Sequence, residues 1–136
     1  MAVDEEEYEM DTTTQAGITG IRTVAVPVGD QDRALEFYRD VLGFEVRLDG
    51  QSPAGRWLEV EPAGSATSIA LVADDGQGAG VDTGIRLTTA NADATHAALL
   101  AQGVDVDPEV LRFGEYVPPM FTFRDQDGNV LVVVEA

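Results

Sequence analysis

Residues able to do chemistry concentrate in a few extended stretches, and Arg56–Glu61 is the richest of them. Leu58 and Val60 are apolar, so strand alternation sends them under a helix and turns Trp57 and Glu59 to the opposite face. Trp57 offers a flat surface for an aromatic or sugar-like ligand, and Glu59 is a candidate base or partner for a cation. In Pro119–Arg124 the same rule sends Phe121 and Phe123 to the core and turns Met120 and Thr122 toward an opening. Arg86 adds a fixed positive fork able to clamp a carboxylate or phosphate. Plainer roles stay open beside these: Trp57 as filler of a core or interface, and Glu59 and Arg86 as an ion pair with each other. The loop Arg112-Phe113-Gly114-Glu115-Tyr116 reads equally as a lid or as a solvated connection.

Other chemistries are poorly supplied. The chain has no cysteine, which removes disulfides, thiolate metal sites and cysteine nucleophiles. All 8 basic residues are arginine, so lysine Schiff-base chemistry is excluded. The single histidine, His96, sits in a helical segment and reads as a partly exposed helix residue, with no serine–histidine–aspartate set around it. Gly76, Gly78 and Gly80 do not run from a strand straight into a helix, which makes them a connecting segment rather than a phosphate cradle. Asp125, Asp127 and Asn129 lack the closing glutamate of a calcium loop and read as a hairpin turn.

Acidic residues number 25, against 8 arginines, and six of the acids lie in the first eleven residues. The remaining 19 still make the body acidic, which repels phosphate backbones and anionic lipids; neither nucleic acid nor membrane is an expected partner. Salt adaptation, a GC-rich source or an acidic interaction surface would each account for the bias. The first fifteen residues lack the basic and apolar segments of a secretory signal, and no apolar run approaches the length of a membrane span, so a soluble cytoplasmic protein is expected.

These candidates need a scaffold, and the sequence repeats one. Residues 1–17 are polar and acidic and are expected to be a disordered tail ahead of a domain over 18–136. Module one, 20–73, reads as strand (Thr23–Val28), helix (Asp30–Leu42, capped by Asp30 and stopped by Gly43) and three strands, Phe44–Leu48, Arg56–Glu61 and Thr67–Ala73. After a Gly/Asp-rich linker, 74–82, module two, 83–135, repeats the order about sixty residues later. Its strand is Gly84–Thr89, its helix Ala92–Gln102, capped by Asn91 and stopped by Gly103. Its last three strands are Val104–Val106, Pro119–Arg124 and Val130–Val134. The implied class is α+β: tandem βαβββ modules making a mixed, curved sheet with a concave cleft.

Val28-Gly29-Asp30, Phe37-Tyr38, Leu42-Gly43-Phe44 and the run Phe123-Arg124-Asp125-Gln126-Asp127-Gly128-Asn129 resemble the two signatures of the vicinal-oxygen-chelate superfamily. That superfamily includes glyoxalase I, extradiol dioxygenases, fosfomycin-inactivating enzymes and bleomycin-binding proteins. The resemblance implies a homodimer whose curved sheets close around a cleft. It also implies a divalent metal held from the first and last strands of each module, at Thr23, Gly84, Val132 and the strand 67–72. None of these supplies a usual ligand, so no metal or other cofactor is expected. If Thr23, Gly84 and Val132 point inward as the family's ligands do, the same parity brings Ala25, Arg86, Thr88, Val130 and Val134 to the cavity wall. The cleft set is then Thr23, Trp57, Glu59, Arg86, Thr88, Tyr116, Met120, Thr122 and Val132. The implied function is metal-independent binding and sequestration of a small aromatic or anionic molecule. A lyase, isomerase or dioxygenase with an atypical metal site or a Glu59 acid–base mechanism, and an interaction or regulatory module, are the alternatives.

Overall fold

The protein is described by a computed structural model over residues 16–74 and 78–136. Most of the expected acidic tail (residues 1–15) and part of the expected linker (residues 75–77) lie outside the described residues. The chain order is β1 (Thr23–Val28), α1 (Gln31–Glu36), β2 (Glu45–Ser52), β3 (Gly55–Glu61) and β4 (Ser68–Ala73), then β5 (Asp82–Thr89), α2 (Ala92–Ala101), β6 (Asp105–Val106), β7 (Met120–Arg124) and β8 (Val130–Glu135). The strands form two four-stranded sheets, ordered β1-β4-β3-β2 and β5-β8-β7-β6. In each, the first strand pairs parallel with the last while the other pairings are antiparallel. The second half of the chain thus repeats the first in topology as well as in texture.

Local chemistry sets the helix ends. Asp30 Oδ1 accepts from the Asp32 and Arg33 amides at 2.9 and 3.2 Å, and Asn91 Oδ1 accepts from the Ala94 amide at 3.0 Å. Gly43 and Gly103 close the helices at φ of 78° and 79°, a conformation that favours glycine. The first helix is not α-helical to its end, as its spacing predicts: Phe37–Val41 forms a π turn, with the Leu42 amide donating to Phe37 O at 3.1 Å. The wide turn accompanies a dense aromatic cluster, in which Tyr38 is wholly buried and meets Phe37 and Phe44 edge-on at 5.5 and 5.8 Å.

Alternation holds in six of the eight strands. Val26 and Val28 of β1, Leu58 and Val60 of β3, Ile69 and Leu71 of β4, Phe121 and Phe123 of β7, and Leu131 and Val133 of β8 are buried in one core. Ile85 and Leu87 of β5 pack against it. β2 departs from the pattern. Its register shifts between Val46 and Leu48, and Arg47 reaches out to Glu61 and to Ala66 O, so this edge strand twists away from the core.

The two modules are joined by the turn between β7 and β8. Asp125 Oδ1 accepts from the Asp127 and Asn129 amides at 2.9 and 3.0 Å, while its Oδ2 accepts from Tyr38 Oη at 2.8 Å and from Asn129 Nδ2 at 2.9 Å. Asn129, fully buried, also donates to Pro27 O at 2.9 Å and accepts from the Gly80 and Val81 amides at 2.8 and 3.0 Å. Asp127 Oδ2 accepts from the Gly29 amide at 3.0 Å. Each buried partner left unmatched costs about 1–3 kcal/mol. Asn129→Ala strands several at once and is expected to lower the free energy of unfolding by at least about 3 kcal/mol. Asp127→Ala touches an exposed contact and should cost about 1 kcal/mol or less. Urea denaturation of the two variants checks the contrast, and equal losses would contradict the hub.

Candidate functional site

The open face of the first sheet is built around Glu59. Leu58 and Val60 occupy the core, so β3 turns Trp57 and Glu59 the other way, as alternation requires. Glu59 is 1% exposed, yet neither carboxylate oxygen lacks a partner. Oε2 accepts from Trp57 Nε1 at 2.6 Å, and Oε1 accepts from Ser68 Oγ at 2.7 Å with the Arg22 guanidinium 3.5 Å away. Burial pushes the carboxyl up, but the hydrogen bonds from Trp57 and Ser68 and the fields of Arg22 and Arg47 outweigh it, holding Glu59 below the usual carboxylate range. Glu59 is therefore an ionised acceptor whose bonds fix the indole.

Trp57, at 41% exposed, keeps much of its surface open while its N–H is tied down. Gly50 is its cross-strand neighbour on β2 and presents no side chain against it, and Leu48 is the neighbour of Glu59. Thr23 and Ser68 are paired across β1 and β4, where Thr23 Oγ1 donates to Ser68 O at 3.2 Å.

The open face of the second sheet carries the other predicted residues. Arg86 and Thr88 of β5 pair with Val132 and Val134 of β8, and β7 sets Thr122 and Met120 beside the same two valines. The structure thus sorts the predicted set into Thr23, Trp57 and Glu59 on one sheet and Arg86, Thr88, Met120, Thr122 and Val132 on the other. Tyr116 is 92% exposed on the loop before β7, with Phe113 also exposed. The two sheets meet at a pocket of about 170 Å³ that brings Ser68, Thr67 and Ser65 to Arg86 and Thr88.

One expected pairing is corrected. Glu59 and Arg86 do not pair: the cation at Glu59 is Arg22, and Arg86 donates from Nη1 to Gly84 O at 3.3 Å. Sequence reasoning passed over Ser68 because the strand was searched for metal ligands, and a hydroxyl is not one. It missed Arg22 as the cation at Glu59 because the pair joins residues far apart in the chain, which strand spacing does not encode. His96 is a packing residue, its Nε2 2.7 Å from Asp107 O and its ring edge-on to Phe121 at 5.1 Å.

The four positions where the family places metal ligands do not fit a divalent cation. Thr23 spends its hydroxyl on a carbonyl, Gly84 has no side chain, and β4 offers only hydroxyl and apolar groups. Val132 lies directly across from Arg86, whose charge would oppose a metal ion there. Among the described residues no group of three or more His, Cys, Asp or Glu is arranged to hold a metal. No helix among them is long and apolar enough to cross a membrane.

The model of the Glyoxalase/Bleomycin resistance protein/Dioxygenase superfamily matches residues 20–133. The chain belongs to this family. It is 30% identical over 126 residues to the uncharacterized protein YetH of Bacillus subtilis (strain 168), a match that spans 87% of this chain and 99% of YetH. Among solved structures it is similar to TnmS3, an antibiotic binding protein from Streptomyces sp. CB03234, at 34% identity and a TM-score of 0.76, covering 88% of this chain and 97% of the other. A family member from Sphaerobacter thermophilus DSM 20745 is 33% identical with a TM-score of 0.80, covering 88% and 98%.

A carboxyl held below its unfolded value of 4.5 stabilises the fold above that pH, and the contribution is lost as pH falls through the folded value. Glu59→Gln removes the charge and is expected to cost about 1–2 kcal/mol at neutral pH, the excess of a charge-assisted hydrogen bond over a neutral one. The gap in Tm between the wild type and this variant should narrow below pH 4.5. A gap that stays constant or widens in acid would show that Glu59 is not the titrating group.

Proposed function

We propose that this protein binds and sequesters a small aromatic molecule without a metal, using the open sheet faces as a cleft. The observation that carries the reading is Trp57: its N–H is held by a buried, ionised carboxylate while much of its indole stays open to a ligand. An indole already oriented loses little freedom on binding, which favours affinity. The valines of β8 with Met120 and Thr122 supply a largely apolar wall of the kind that buries a ring system. The likeness to an antibiotic binding protein supports sequestration as the role. Exposed Leu48, across from Glu59 on β2, and exposed Val72 on β4 support closure of the cleft by a second copy, as a homodimer.

A Glu59 acid–base mechanism finds less support in this arrangement. Both oxygens accept hydrogen bonds and the group is held ionised below its ordinary range, whereas a general base works best with a value near the operating pH.

Trp57 is the only tryptophan, so its fluorescence reports on this site alone. Titration with a panel of fused-ring aromatic compounds is expected to quench it saturably. Trp57→Ala should weaken binding of the same compound, followed by calorimetry, by about tenfold, the worth of a stacking contact of about 1.4 kcal/mol. Elemental analysis of protein purified without chelators should find no stoichiometric divalent metal. One tightly held ion per chain, or saturable binding indifferent to Trp57, would overturn the proposal.

A further inference from the structure

Six of the eight arginines have a carboxylate oxygen between 2.6 and 3.6 Å away: Arg22, Arg39, Arg47, Arg56, Arg112 and Arg124. Arg33 sits on the exposed side of α1. Arg86 is different, because it pairs with no carboxylate among the described residues and it lines a pocket. Acids outnumber arginines 25 to 8, yet the Arg86 guanidinium meets no carboxylate among the described residues.

The pocket, about 170 Å³, lies where the start of β4 meets β5. Val24, Ile69, Ile85 and Leu87 give it an apolar lining. Its hydroxyls are mostly committed: Ser65 donates to Thr67 O at 2.7 Å, Thr67 to Ile21 O at 2.9 Å and Ser68 to Glu59 at 2.7 Å. Two donors remain for a ligand, the Arg86 guanidinium, whose one internal bond is a 3.3 Å donation to Gly84 O, and the Thr88 hydroxyl two residues along the same face.

We infer that Arg86 and Thr88 form a binding site for the carboxylate of a small apolar monoacid seated between the two modules. The planar fork of a guanidinium matches a carboxylate with two parallel N–H donors, and the Thr88 hydroxyl adds a third. One cation balances one negative charge. The field of a chain with net charge −17 disfavours a dianion such as phosphate. The volume is below the roughly 300–1,000 Å³ of sites for drug-sized ligands, so a single ring or a short branched chain is the fitting body. This site shares the open face of the second sheet with the proposed cleft but stands on the pocket and the pairing of the arginines, and does not require Trp57.

Benzoate and its neutral isostere benzamide are the probes, titrated against the full chain while the arginine Nε–H resonances are followed by NMR. The expected result is saturable binding of benzoate that shifts one arginine resonance, the one missing from Arg86→Gln, with benzamide weaker by about tenfold, the worth of a charged hydrogen bond. Arg86→Gln should abolish the preference for the acid, Arg86→Lys should restore part of it, and Arg33→Gln, at an exposed arginine outside the pocket, should leave it unchanged. No binding of benzoate at millimolar concentration, equal binding of the amide, or a preference that survives Arg86→Gln would overturn the inference. Loss of benzoate binding in Trp57→Ala would overturn it too, by moving the acid to the cleft. Failure of Trp57 to respond to fused-ring compounds touches only the sequestration reading.

Discussion

The carboxylate of Asp125 and the amide of Asn129 hold the two halves of this molecule in one arrangement. Each module is a four-stranded sheet with its apolar residues on one face, and a sheet so patterned must bury that face against something. The β7–β8 turn reaches across to the other module, where Tyr38 Oη, Pro27 O and the Gly29 amide bond to its side chains. Deep burial of Tyr38, with Asp125 alongside, raises the phenol far above its ordinary range, so it acts as a permanent neutral donor. The family's second signature is thus an architectural device here. Asp125 and Asn129 spend their side chains on backbone groups, on a phenol and on each other.

Once that seam is fixed, the open faces follow from the pleat. Every residue that packs inward on β3, β5, β7 and β8 commits its neighbours outward, so Leu58 and Val60 place Trp57 and Glu59 as surely as Phe121 and Phe123 place Met120 and Thr122. The cost of this parity is a charge at a nearly closed position. Glu59 is tolerated because an indole N–H, a serine hydroxyl and an arginine surround it, and the same bonds that satisfy the carboxylate immobilise the tryptophan.

The parts of this structure legible in the sequence are those governed by short-range rules. Asp30, Asn91, Gly43 and Gly103 mark the helix ends because capping and left-handed stops are local chemistry, and the repeat exposed the topology because both copies obey it. Strand parity was readable wherever apolar residues alternate. It failed for β2, whose residues carry little alternation and whose register shifts at Arg47. The π turn was hidden because Phe37–Val41 has ordinary helical spacing; it coincides with the packing of Tyr38 against Phe37 and Phe44. Partnerships between charges were the least legible. Glu59 found Arg22 in place of Arg86 because ion pairing depends on where flexible arms end in space, which no spacing encodes.

That last difference bears on function. With Arg22 at Glu59, Arg86 remains beside Val132, the position where the family resemblance implies a metal ligand. A guanidinium and a divalent ion both attract anions, but they do different work with them. A metal ion lowers the pKa of bound water and polarises an oxygen as a Lewis acid, whereas a guanidinium orients an anion through fixed N–H donors and keeps its own protons. Trp57 is held by an ionised partner in the same manner, as a surface with no proton to exchange. Trp57 and Arg86 are thus groups that position a molecule through fixed donors, the work that the proposed sequestration asks of them.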